Sequence, residues 1–293
     1  MIFALHILAQ PVYSLLPASL ERAGTLFIVL SGTLFGFAHL AVSRGTRAAL
    51  TMMMLCLIVA GGFEMLSVGT GFPFGQYRYS SLLGPGILGV PLLVPFCWQL
   101  MAHNANTVAR HIAPRWHVPV AALTLTAWDV YIDPQNVRAG YWTWARHGEY
   151  VGIPLENFAG WFLTALIIFA LYAWLERNVL HPRARYSVVI EVKMSVQSVV
   201  GATEARKPLH PYSPRDDLFE LLPVFVYIWM WFGSAVVNLF WWGQPIVALA
   251  GFVCTGAFAV PAIRSILEAT RAGRLRWDRS SNPDSSHTDS RLS

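Results

Sequence analysis

Charge is scarce in this chain. Asp, Glu, Lys and Arg make up 13% of its 293 residues, while 55% are hydrophobic and the mean hydropathy is +0.47. Soluble domains carry roughly 25% charged residues, so this deficit, joined to long apolar runs, excludes an ordinary soluble globule and predicts an integral membrane protein. Lysine is almost missing: Lys193 and Lys207 fall in one polar segment. A seven-helix retinal protein needs a lysine inside a helix, so that class is excluded. The three cysteines, Cys56, Cys97 and Cys254, lie in apolar runs with no disulfide framework or metal spacing, and read as small core residues. No G-x-G-x-x-G follows a strand, and no P-loop, H-E-x-x-H or G-x-S-x-G occurs. Histidines never recur at i, i+4, which weighs against a di-iron desaturase. His103, His111 and His117 lie among arginines and read as solvated loop residues. The apolar N-terminus has no basic leader region and reads as a retained first helix.

What is present is a series of apolar spans. Residues 22–42, 48–68, 87–103, 118–132, 157–175, 219–240 and 245–263 each predict a helix, with 118–132 short for a crossing of about 30 Å. Residues 2–16 form a further apolar stretch broken by Gln10 and Pro11. The fold class expected is an all-α transmembrane bundle of seven or eight helices over residues 1–270, with a polar insertion at 176–217. Residues 187–197 alternate with period two, as a strand or surface segment would. The tail, 271–293, is Ser, Asp and Arg rich and is expected to be disordered.

The net charge of +5 is unevenly spread. Connections after residues 42, 103 and 175, and the tail, hold nearly all the Arg and Lys. Those at 69–86, 133–156 and 241–244 hold only Arg78, Arg138 and Arg146. The positive-inside rule then predicts a cytoplasmic C-terminus in the cell membrane, and the basicity reads as orientation before nucleic-acid binding. It also places Glu64, Asp129, Asp133, Glu149 and Glu156 near one extracytoplasmic end. Ionisable groups bordering hydrocarbon are costly, so each is a functional candidate.

Three constellations stand out. Asp129 and Asp133 are spaced i, i+4 and share a helix face. Two carboxyls in an apolar setting disfavour each other's ionisation, so one is expected to hold its proton at neutral pH and serve as an acid. The alternative is that Asp133, before Pro134, ends the helix in a turn and Asp129 pairs with an arginine. Glu64 sits near the end of an apolar run, just before the glycine- and aromatic-rich T-G-F-P-F-G-Q-Y-R-Y at 70–79. Third, Tyr141, Trp142, Trp144, Glu156, Asn157 and Trp161 crowd the stretch 140–161. Ring faces stabilise cations, although interfacial anchoring would also account for single rings here.

Those stretches, T-G-F-P-F-G-Q-Y-R-Y at 70–79, D-V-Y-I-D-P at 129–134, G-Y-W-T-W at 140–144 and G-I-P-L-E-N-F-A-G-W at 152–161, resemble the integral-membrane carotenoid biosynthesis family. That family includes carotenoid 1,2-hydratases of the γ-carotene and bisanhydrobacterioruberin types. The resemblance covers about residues 30–265, leaving out the N-terminal segment, 176–217 and the tail. It implies hydration of the terminal C1=C2 double bond of an acyclic carotenoid such as lycopene, γ-carotene or a C50 analogue. No redox cofactor, metal or nucleic acid is called for. The residues themselves suggest roles: a protonated Asp129 or Asp133 as acid, Glu64 or the other aspartate orienting water, and Tyr77, Tyr79, Trp142, Trp144, Glu156, Asn157 and Trp161 around the end group. A lycopene-type cyclase, a proton-coupled transporter and a pigment-binding subunit remain as alternatives.

Overall fold

A computed structural model describes residues 1–180 and 218–272. The chain forms a polytopic helix bundle. Its helices are α1 (Ile2–Tyr13), α2 (Ala18–Arg44), α3 (Thr46–Thr70), α4 (Val94–Ile112), α5 (His117–Arg138), α6 (Leu155–Leu175), α7 (Leu222–Phe240) and α8 (Pro245–Arg271). α2, α3, α6, α7 and α8 are long and apolar enough to cross a membrane. Their outer surfaces carry large apolar side chains such as Ile58, Leu249 and Val253, as a lipid-facing wall requires.

α4 and α5 are more polar because they lie inside. α4 is packed by α2, α3, α5, α7 and α8, and buries Gln99, His103, Asn104 and Asn106. α5 buries Thr124, Asp129 and Asp133 between α4, α6 and α8. α1, at 12 residues, spans about 18 Å and lies against α2. It is too short for a full crossing.

Several sequence expectations shift. The span at 87–103 begins later: β2 (Gly86–Ile87) and β3 (Val90–Pro91) form a small hairpin, and the helix runs from Val94 to Ile112. The arginines near its end obscured a buried helix. His103 is therefore a core residue, 3% exposed, and not a solvated loop histidine. Its Nε2 lies 3.0 Å from His39 Nδ1. His111 and His117 are half-buried. Of the cysteines, Cys56 is buried, Cys97 half-buried and Cys254 exposed on the outer face of α8, so only the first is a core residue. α5 continues through Pro134 to Arg138, so Asp133 does not end it. α6 runs on as a π-helical turn, Glu176–Leu180, into what had read as a polar loop. There Glu176 receives Arg44 at 3.3 Å and also Arg110. The alternating stretch 187–197 and the tail beyond 272 lie outside the described residues.

Candidate active site

Glu64 lies on α3, one turn beyond a π-helical turn at Cys56–Ala60, and is 3% exposed. Such π turns interrupt helices most often at functional positions. Three donors converge on its carboxylate. Tyr77 and Tyr79 both donate to Oε2, the latter at 2.8 Å, and the indole of Trp98 donates to Oε1 at 3.0 Å. Trp98 had no distinguishing mark within an apolar run, yet it is fully buried and stacks on Trp161 with centroids 4.1 Å apart.

The two tyrosines are held by strand pairing. β1 (Tyr77–Tyr79) pairs antiparallel with β4 (Trp142–Trp144), in the register Tyr77↔Trp144, Arg78↔Thr143, Tyr79↔Trp142. Side chains alternate across a strand, so Tyr77, Tyr79, Trp142 and Trp144 share the inward face while Arg78 and Thr143 are exposed. The short Y-R-Y and W-T-W alternations are the signals of this pairing. Helix α3 stops at Gly71, whose φ of 86° suits glycine. Ser67 then ties the following loop back to α3: its hydroxyl donates to the Gly75 carbonyl at 3.1 Å and accepts from Phe74 N at 3.2 Å. Trp144 Nε1 donates to the Phe74 carbonyl at 3.0 Å. The same loop lies directly on α6. A Cβ on Gly160 would fall 2.6 Å from the Phe74 ring and 2.7 Å from the Pro73 carbonyl oxygen.

Across the cavity, α5 presents Asp129 and Asp133 on one face, 0% and 2% exposed. Asn157, in the first turn of α6, joins them: its side-chain amide donates to Asp129 Oδ2 at 3.1 Å and also to Asp133 Oδ2. Neither aspartate, nor Glu64, has an ion-pair partner among the described residues. The arginine partner considered for Asp129 is thus replaced by the Asn157 amide.

These groups meet in a cavity of about 460 Å³. Glu64, Asp133, Asn157, Tyr77, Tyr79, Trp98, Trp142, Trp144 and Trp161 all contribute to its wall. Asp129 stands behind Asp133 and outside the lining. Glu156 is left out: it is exposed, and its carboxylate lies beside Gly75 on the far side of the loop. Glu149 is exposed as well and accepts from Leu155 N at 3.2 Å, at the start of α6. Among the described residues no group of three or more His, Cys, Asp or Glu side chains is placed to hold a metal ion. The chemistry on offer is carboxyl acid and base within a wall of ring faces, an arrangement suited to a transient cation.

The bisanhydrobacterioruberin hydratase of Haloarcula japonica is 25% identical over 239 residues, 79% of this chain and 70% of that protein. No solved structure matches. The family described as "Carotenoid biosynthesis protein" matches residues 23–206. The match takes in every candidate residue named above and reaches into 176–206, which had read as lying outside the resemblance, while α7 and α8 fall beyond it. By that match the chain belongs to the carotenoid biosynthesis protein family.

Proposed function

We propose that this protein is a cofactor-independent hydratase that adds water to the terminal C1=C2 double bond of an acyclic carotenoid. The observation that carries the reading is Asp133: a buried carboxyl, linked through Asn157 to a second one, opening onto an aromatic cavity that Glu64 also lines. The relationship to a named carotenoid hydratase supports the substrate class.

The step balances without any other reagent. Asp133 gives its proton to C2, and the alkene's π electrons form the new C–H bond. The tertiary cation left at C1 faces indole and phenol rings and the Glu64 carboxylate. Water attacks C1 through its oxygen lone pair. The oxonium then returns a proton to the carboxylate, leaving a tertiary alcohol and the original acid. Asp129 and Asn157 act on Asp133, holding its carboxyl toward the cavity. General acid–base help of this sort is typically about 10²–10⁴-fold, and electrostatic stabilisation of the cation supplies much of the rest. Gln135 and Asn136, which also line the cavity, offer water polar partners. That polarity favours hydration over cyclisation, in which an internal double bond would capture the cation in a dry site. By the positive-inside rule, we propose that the arginine-rich end of the bundle faces the cytoplasm.

The test is expression in hosts that accumulate lycopene or longer acyclic carotenoids, followed by mass analysis of the pigments. Hydration adds the mass of water at each reacting end, whereas cyclisation leaves mass unchanged. Unaltered pigment beside correctly inserted protein would overturn the proposal.

A further inference from the structure

The cavity does not end at the acids. It continues away from Glu64 and Asp133 between the end of α1 and one stripe of α7, where Tyr13, Leu15, Trp229, Phe232, Gly233 and Trp241 line it. Leu15, Phe232 and Trp241 are at the same time 69%, 59% and 55% exposed on the outer surface. A side chain can be both only where a cavity wall meets the outside of the bundle. The packing explains the gap: α1 rests on α2 and α7 on α8, and the two helical pairs touch only lightly. Neither 10–15 nor 229–237 contains an Asp, Glu, Lys or Arg, so both flanks of the gap are uncharged, and the cation beside the lining is Arg138, 4.2 Å over the ring of Trp242.

The cavity's size makes such an opening necessary. About 460 Å³ suits a compact, drug-sized ligand, for which sites run roughly 300–1,000 Å³. A carotenoid is an extended, stiff chain of several isoprene units. With its end group at Asp133 the remainder must leave through a wall. The loop side is closed by β1 and β4, and α2 and α5 each pack closely on α4. Resting on the hydratase reading, we propose that the gap between α1 and α7 is a lateral opening to the bilayer. The acyclic carotenoid is threaded through it end first and its polyene stays in it during reaction. Specificity then reads the end group and the chain next to it, leaving the far end in lipid unread. Carotenoids of different total length and different far ends are accepted alike.

Gly233 gives a direct test. A Cβ there meets nothing within 4 Å, so a side chain projects into open space without disturbing the helix. Gly233→Cys is purified, modified with a bulky methanethiosulfonate reagent, checked by mass, and later released with dithiothreitol. The same reagent on the unsubstituted protein and on Leu249→Cys, exposed on α8, gives the reference. Hydration and bound-pigment absorbance are both read with a long acyclic carotenoid. The expected result is a fall of about tenfold or more in both for modified Gly233→Cys alone, reversed by the thiol. Reversal on one folded sample separates blocking from misfolding. Modified Gly233→Cys that binds and reacts like modified Leu249→Cys overturns the opening and leaves the hydratase reading intact. Unsubstituted protein that binds pigment without hydrating it overturns the hydratase reading, and the label then still tests the opening through bound pigment. Protein that neither binds nor hydrates overturns both.

Discussion

The Trp98 indole donates to Glu64 Oε1 at 3.0 Å, joining the axial helix α4 to the carboxylate of α3 deep inside the bundle. With Tyr77 and Tyr79 on the other oxygen, Glu64 receives three donors and no acceptor. This pattern suits the anionic form and fixes its position. Glu64→Gln keeps the shape but turns an amide NH2 toward donors that already carry hydrogens. Hydration is expected to fall by about 10²-fold or more, in line with losing one preorganised electrostatic group. Tyr79→Phe, which removes one donor of three, should cost less. Product yield per inserted protein in a lycopene-producing host checks both, and an unimpaired Glu64→Gln enzyme would remove Glu64 from the mechanism.

Asp133 and Asp129 should separate. Both are buried, but only Asp133 opens onto the cavity. Asp133→Asn is expected to lower turnover by about 10²–10⁴-fold, the usual worth of a general acid, with little change in pigment binding. Asp129→Asn leaves the acid in place and removes its neighbour, so partial activity is expected. Equal losses from the two, or full activity in Asp133→Asn, would contradict the assignment. Product mass with bound-pigment absorbance reads the difference.

What the sequence disclosed follows from where it is unusual. Carboxylates at the edges of apolar runs are conspicuous, which is why Glu64, Asp129, Asp133 and Asn157 could be picked out before the helices were placed. The helices among the described residues are legible from their long apolar runs. Trp98 was not, because an indole within an apolar run reads as lipid-facing until its partner is known. The β1–β4 pairing was hidden by brevity: three residues of alternation weigh little among so many rings. α4 was misplaced since G-I-L-G-V-P, which forms a hairpin, is as apolar as a span, and since polar residues facing the bundle interior look like the end of one. Pro134 resembles a stop signal, yet the helix runs through it, and the Val130 carbonyl that Pro134 leaves free accepts from the Tyr150 hydroxyl at 3.1 Å.

Gly160 is a point at which the loop and α6 touch backbone to backbone. Adding only a methyl, Gly160→Ala, places a Cβ within 2.7 Å of the Pro73 carbonyl oxygen. Either α6 or the loop must move. Overpacking typically costs about 1–3 kcal/mol, and the shift reaches Tyr77 and Tyr79 through the loop that carries them. Lower thermal stability in detergent, together with reduced hydration, is expected. A variant that melts like the parent and reacts at full rate would show that the loop gives way freely.

Glu176 offers the opposite case. It binds Arg44 and Arg110 at the far end of α6, about 28 Å along the helix from Asn157 by the rise of 1.5 Å per residue. Its carboxylate is nearly buried, while the two guanidinium groups are partly exposed, at 41% and 24% of their side-chain area. Glu176→Gln leaves two cations facing each other without their shared anion. Because water screens both arginines, the expected cost is modest, about 1 kcal/mol, and larger at low salt than at high salt. Hydration should be unchanged per folded molecule, because no carboxyl or ring of the cavity contacts this cluster. Melting curves at two salt concentrations, with product yield from the same preparations, test the point. A fall in specific activity without a fall in melting temperature would mean that the two ends of the bundle are coupled, and that the reaction draws on more of the chain than the cavity wall.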